Sequence, residues 1–192
     1  MKKLVAVLAL VVSASLLSGC TSNDGLANQF RSGDNKNYIA GDGTVTEFKA
    51  PRPGPVVWSG PTDMGGQLSS ANLTGVPLVI NFWYAGCAPC RAEASLLVKL
   101  SKEFNGKAQF VGVNVRDSAD TANAFERNFK IGYPSIVDNS SGSVVLAFTG
   151  IVTPQAVPTT LVIDKTGRVE ARILGRADES TLRSLIQTVV TE

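Results

Sequence analysis

Val76-Pro77-Leu78-Val79-Ile80-Asn81-Phe82-Trp83-Tyr84 runs into Ala85-Gly86-Cys87-Ala88-Pro89-Cys90 and then Arg91-Ala92-Glu93-Ala94-Ser95-Leu96-Leu97-Val98-Lys99-Leu100-Ser101-Lys102-Glu103-Phe104. Residues 76–84 are dense in β-formers, and so continuous an apolar run predicts a central strand covered on both faces. From Pro89 onward, Leu96, Leu97, Leu100 and Phe104 share one helical stripe while Lys99, Lys102 and Glu103 take the other side, which predicts an amphipathic helix. Cys87 and Cys90 lie at the junction. Two cysteines three apart on a first helical turn can close a small disulfide, and Pro89 is tolerated there because first-turn N–H groups have no intrahelical partner. The helix N-terminus favours an anion, so Cys87 is expected to supply a thiolate near neutrality. Cys90, one turn inward, is expected to be the less exposed of the two. Cys87 can then attack a disulfide and Cys90 resolve the mixed disulfide. A purely structural role fits poorly, because so short a loop removes little chain entropy. A metal site would lack its other half.

Working outward, Phe110 to Val115 reads as a second buried strand. Ser118 reads as the cap of a helix containing Ala122, Phe125 and Phe129. Tyr133–Val137 predicts a short strand and Ser143–Phe148 a short helix. Thr160–Ile163 and Val169–Leu174 flank Asp164-Lys165-Thr166-Gly167, a hairpin turn. Asp178 caps a last helix with Leu182, Leu185, Ile186 and Val189 inside. Upstream, Val56-Val57-Trp58 is a strand candidate and Ser69–Leu73 a single turn. The order β-α-β-α-β then β-β-α predicts an α/β fold: a mixed sheet between helix layers.

The chain has 192 residues, 44% apolar and 18% charged, enough for a sizeable core. Lys+Arg is 18 against Asp+Glu 16, a net of +2 that offers no basic field to nucleic acid. There is no histidine, which removes Ser-His-Asp and Cys-His nucleophile schemes and histidine-based metal sites. The three cysteines, Cys20, Cys87 and Cys90, cannot close a four-cysteine zinc site. No metal and no cofactor are expected.

Met1-Lys2-Lys3 is a positive start, and residues 4–17 are apolar apart from Ser13 and Ser15. That run is shorter than the ~20 residues of a spanning helix and suits a secretory signal. It ends Leu17-Ser18-Gly19-Cys20, which resembles a bacterial lipobox; the resemblance implies cleavage before Cys20 and lipid on its sulfur. The competing readings are a cysteine within an ordinary cleaved signal, or an uncleaved anchor. The expected organisation is a signal peptide over 1–19, lipidated Cys20 and a flexible tether over 20–52, and a folded domain over 53–192. Export implies a compartment where disulfides form.

Two blocks carry a wider resemblance. The first is residues 81–93, quoted above; the second is Val157-Pro158-Thr159-Thr160-Leu161-Val162-Ile163-Asp164, followed by Lys165-Thr166-Gly167-Arg168-Val169. Together they resemble the thioredoxin superfamily, in particular its exported TlpA/ResA/DsbE-like branch, over about residues 53–192. The resemblance implies a thioredoxin-like three-layer α/β/α fold with an N-terminal extension and an insertion around 117–148. It implies a cis Val157–Pro158 bond beside the cysteine pair, with the Val157 backbone offered to a bound peptide strand. It implies a catalytic Glu93, handling protons for Cys90; read alone, Glu93 is a solvated helix residue. Asn81 stands where thioredoxin has a buried acid and cannot titrate. Trp83 is expected to pack beside the site and is assigned with Val157 and Pro158 to substrate binding. Ala88 and Pro89 tune the pair's potential. Two departures are Gly86, where most relatives have Trp, and Ser95, where a proline is common.

The implied activity is a membrane-anchored, extracytoplasmic protein thiol–disulfide oxidoreductase, a reductase by preference. Its implied partners are protein disulfides such as the haem-site cysteines of apocytochrome c, and a membrane electron donor. Alternatives are a disulfide-forming oxidase, a thiol peroxidase, or a non-catalytic peptide-binding module on the same fold.

Overall fold

The structure, a computed structural model, describes residues 41–153 and 155–192. The strands are β1 (Asp42–Glu47), β2 (Ser59–Pro61), β3 (Gln67–Ser69), β4 (Leu78–Trp83), β5 (Gln109–Asn114), β6 (Ser135–Val137), β7 (Thr159–Ile163) and β8 (Val169–Gly175). The α-helices are α1 (Ala88–Glu103), α2 (Ala119–Phe129), α3 (Ser143–Ala147) and α4 (Glu179–Thr191), and a 3-10 turn spans Ser70–Leu73.

The apolar run of β4 is buried at every position, and the strand sits inside a six-stranded sheet of order β1-β8-β7-β4-β5-β6. It pairs in parallel with β5 and antiparallel with β7, so the sheet is mixed. A covered strand needs apolar residues on both faces. Val79 packs in a cluster with Leu97 and Leu100 of α1 and with Leu182 and Ile186 of α4. Ile80 and Phe82 face the opposite cluster, which holds Phe125 of α2 and Val144 of α3. The result is the thioredoxin-like three-layer α/β/α arrangement. The segment implied as an insertion, 117–148, contributes α2, the edge strand β6 and α3.

The helix ends form as the sequence predicts. Ser118 Oγ accepts the Thr121 N–H and Asp178 Oδ1 accepts the Thr181 N–H. Asp164 Oδ1 accepts from Thr166 N at 2.8 Å and Arg168 N at 3.1 Å, and Gly167, at φ 80°, closes the hairpin between β7 and β8.

Two expectations need correction. The tether does not extend to residue 52, because β1 lies within 20–52 and pairs antiparallel with β8. Arg52 then ties this segment down through ion pairs to Asp164, Glu170 and Glu192. Asp42–Glu47 has one apolar residue because an edge strand is held by backbone pairing, which leaves no hydrophobic signature. Cys20 and the signal segment lie outside the described residues. The second correction is that Val56–Trp58 is not a strand. Val57 is exposed, and pairing begins one residue later, where β2 meets β3. Gly60 fits there because a Cβ would stand 2.5 Å from Ile136 Cγ2.

Candidate active site

The end of β4 delivers the chain into the cysteine motif. Cys87 is the N-cap of α1, and its Sγ accepts the Cys90 N–H at 3.2 Å. Pro89 occupies the first turn, where no N–H is required. Cys87 and Cys90 form a disulfide with their Cα atoms 5.2 Å apart. Both sulfur residues are buried, Cys87 at 0% exposure and Cys90 at 3%, so the expected difference in exposure between them is absent. The disulfide folds the Cys87 side chain back onto the helix start, into the apolar cluster that also holds Tyr84 and Val157. The neighbours on either side, Gly86 and Ala88, are exposed.

Two contacts fix the loop before the motif. Ala85 N donates to Asp117 Oδ2 at 2.6 Å, and Asn114 Nδ2 donates to the same oxygen at 2.8 Å. Asn114 Oδ1 in turn accepts from Arg116 N and Asp117 N. At Gly86 a Cβ would touch the Tyr84 ring at 3.1 Å, and the Arg116 guanidinium lies 4.6 Å above that ring. An aromatic thus occupies the rim beside Gly86, supplied from position 84. Arg91 donates to Ala85 O at 3.3 Å and lies 5.3 Å from the Phe129 ring.

The second block meets the first at the same end of the sheet. Thr159 pairs with Phe82 in the antiparallel β4·β7 ladder, so Pro158 precedes β7 where β4 finishes. The Val157–Pro158 peptide bond is cis. Trp83 is 3% exposed, with its ring centroid 4.4 Å from that of Phe125. It packs from within the core beneath the cysteine loop, and Val157, at 1%, is buried as deeply.

Glu93 is the unexpected member. It is 1% exposed, not a solvated helix residue. Its Oε1 accepts from Asn81 Nδ2 at 2.8 Å and its Oε2 accepts from Ala177 N at 3.0 Å. Asn81 also donates to Thr160 Oγ1 at 3.1 Å. Burial pushes the Glu93 carboxyl up to about 7, against the pull of the Ala177 N–H, the Asn81 amide and the Arg176 charge. A carboxyl poised at that value can take or give a proton near neutrality. Cys90 and Asn81 line one small cavity, so the group that holds Glu93 also faces the inner cysteine.

Sequence reasoning missed Asn114, Asp117, Thr160 and Ala177. The Asn114-x-x-Asp117 spacing at the end of a predicted strand is a turn signal that could have flagged the first two. The role of Ala177 rests on a backbone N–H and carries no side-chain signal at all.

Comparison with known proteins agrees with this geometry. Residues 44–172 match the model of the AhpC/TSA family, and the chain belongs to that family. It is 26% identical over 126 residues to the thiol-disulfide oxidoreductase ResA of Bacillus subtilis, covering 65% of this chain and 68% of the relative. A DsbF homologue from Corynebacterium diphtheriae superposes with a TM-score of 0.69 at 30% identity, over 77% of this chain and 94% of that one. A secreted thiol-disulfide isomerase from Corynebacterium glutamicum gives 0.70 at 27% identity, over 81% and 98%. With the Cys87–Cys90 disulfide at the head of α1, the molecule is a thiol–disulfide oxidoreductase of the thioredoxin fold.

Proposed function

We propose that this oxidoreductase works outside the cytoplasmic membrane, held there by lipid on Cys20, and reduces disulfides in protein substrates. The observation that carries the reading is the Cys87–Cys90 disulfide capping α1, with Glu93 buried one turn on and titrating near neutrality. A membrane electron donor supplies two electrons and two protons, giving two thiols. The Cys87 thiolate, stabilised by the helix end and by the Cys90 N–H, attacks a substrate sulfur; one substrate thiolate leaves and a mixed disulfide forms. Cys90 then passes its proton to Glu93 and attacks Cys87 Sγ. The protein disulfide re-forms and the second substrate thiolate departs, to be protonated. The Val157 backbone pairs with the substrate strand, giving affinity with little sequence demand. Ala88 and Pro89 set the potential from within the loop. Haem-site cysteines of an apocytochrome c are the candidate substrate, by likeness to the ResA-type branch. Secretion of the similar isomerase from C. glutamicum and the lipobox-like Leu17-Ser18-Gly19-Cys20 support the location.

The test is the reduction potential of the Cys87–Cys90 pair, measured against glutathione or dithiothreitol. A value near about −270 mV supports the reductase; one near about −120 mV assigns an oxidant and overturns the direction. Cys87→Ser must abolish exchange, since a peptide-binding module would keep its function without the thiol.

A further inference from the structure

Asn114, the last residue of β5, is a wholly buried polar side chain. It stands opposite Trp83, the last residue of β4, in the parallel ladder, so the turns that follow the two strands are neighbours. Its Oδ1 accepts from Arg116 N at 3.1 Å and from Asp117 N at 2.7 Å, which turns the chain sharply after β5. Its Nδ2 donates to Asp117 Oδ2 at 2.8 Å. That same oxygen takes the Ala85 N–H at 2.6 Å. A buried amide thus orients a carboxylate, and the carboxylate holds the backbone two residues before the outer cysteine.

The carbonyl of Ala85 is held as well. It accepts from Arg91 Nη1 at 3.3 Å, and that guanidinium lies 5.9 Å from the Phe125 ring centre and 5.3 Å from that of Phe129. Ala85 is the second residue of a turn that Cys87 N closes on Tyr84 O at 3.2 Å. Ala85 and Gly86 bring no polar side chain of their own to this turn. Cys87 follows directly, with extended cap dihedrals (φ −77°, ψ 111°), and its Sγ accepts the Cys90 N–H.

We propose that Asp117 is a positioning residue for the exchange reaction: with Arg91 it clamps the Ala85 backbone from both sides and so holds Cys87 on the cap of α1, where its sulfur forms the thiolate. The inference rests on the nucleophile role of Cys87 given above. No electron or proton passes through the clamp. It acts before any bond forms, by keeping the attacking sulfur against the N–H groups of the helix end. Charge works the other way, because a carboxylate near a thiol disfavours the thiolate. Clamp and charge therefore act with opposite signs.

Alkylation kinetics separate the two. The protein is reduced and pulsed with iodoacetamide from about pH 6 to 9, and peptide mass spectrometry follows Cys87 apart from Cys20 and Cys90. Asp117→Ala removes the shared acceptor. It is expected to slow labelling of Cys87 at pH 7 roughly tenfold and to move the pH–rate profile to higher pH. Asp117→Asn can present its single carbonyl oxygen to both donors, so it should restore the rate to within about threefold of wild type. Arg91→Met frees Ala85 O from an exposed position and keeps an apolar cover on Phe125 and Phe129. It should also slow Cys87, and the effect should persist in about 1 M salt, where the lost charge is screened. A profile for Asp117→Ala that superimposes on wild type, despite a lower melting temperature, makes Asp117 a structural residue only and overturns the proposal. Faster labelling in both Asp117→Ala and Asp117→Asn overturns it too, as the mark of charge alone. If a thermal melt shows that Asp117→Ala does not fold, Arg91→Met decides, and a wild-type profile there sinks the clamp. Wild-type Cys90 labelled faster than Cys87 would remove the nucleophile assignment first, a result distinct from a failed clamp.

Discussion

Replacing Glu93 with Gln sets two effects of similar size against each other, and their balance changes with pH. The carboxylate accepts at both oxygens, from Asn81 Nδ2 at 2.8 Å and from the Ala177 N–H at 3.0 Å. A glutamine has one acceptor oxygen, so its NH2 must face one of these donors. Leaving a buried donor unpaired costs about 1–3 kcal/mol at any pH. On the other side stands the charge. The Glu93 carboxyl titrates at about 7 in the fold against an ordinary value of 4.5. Between those values the native state holds a proton that the unfolded chain has released. Wild-type stability therefore falls as pH rises through that interval, by about 1.4 kcal/mol per pH unit, and levels off above 7. Over the whole interval the loss is about 3 kcal/mol. The glutamine variant escapes it. Wild type should be the more stable by about 1–3 kcal/mol near pH 4.5, and the two should converge or cross by pH 8. Urea unfolding of the oxidised proteins, followed by the fluorescence of Trp58 and Trp83 from pH 4.5 to 8.5, measures the difference directly. Stability curves that stay parallel to within about 0.5 kcal/mol would refute the buried, upward-shifted carboxyl.

Reduced protein treated briefly with iodoacetamide should be alkylated at Cys87 roughly tenfold faster than at Cys90, because only Cys87 Sγ sits on the helix cap and accepts a backbone N–H; equal labelling by mass spectrometry would reverse the roles. Glu126 is pushed up to about 8 by burial and by the neighbouring Asp63 carboxyl, so it too costs stability as pH rises from about 4.5 to about 8. Glu126→Gln should flatten that decline in melts across the range, and an unchanged slope would exclude the buried acid pair. Asp117→Ala removes the acceptor for Ala85 N and Asn114 Nδ2. It should cost about 1–3 kcal/mol, or roughly 2–4 °C of Tm per kcal/mol, and a Tm equal to wild type would show that the loop holds without it.

Which parts of the molecule could be read from the chain follows from the range of the interactions. Periodicity fixes β4, α1, β5 and α4 because each buries a local apolar pattern, and the caps at Ser118 and Asp178 are contacts three residues long. Strand β1 has no such pattern. Asp42-Gly43-Thr44-Val45-Thr46-Glu47 joins the sheet through backbone pairing to β8, about 130 residues away in sequence. The cysteine pair is legible because its chemistry is local: helix end, proline and sulfur lie within one turn. The surroundings of Trp83, four residues before Cys87, are not legible in this way, because its ring packs on Phe125, a side chain from another helix. The environment of Glu93 is beyond reading for the same reason: its partners stand 12 and 84 residues away.

Within one domain, two buried acids show how the partner decides what a carboxyl can do. Glu126 faces Asp63, another acid, rather than a donor. Desolvation, then a hydrogen bond from the protonated Glu126 carboxyl to Asp63, and last the repulsion between the two charges hold its proton to about 8. Glu93 is buried more deeply, yet it meets an amide N–H₂ and a backbone N–H and titrates near 7. Asn81 therefore does more than fill a strand position. As a neutral donor it favours the carboxylate form of Glu93 without adding a second charge to the cavity beside Cys90. An acid at position 81 would replace that donor with a competitor for the same proton. A single acid with a neutral partner gives the site one proton-handling group near neutral pH, where a thiol has to be deprotonated to attack and a departing thiolate has to be quenched.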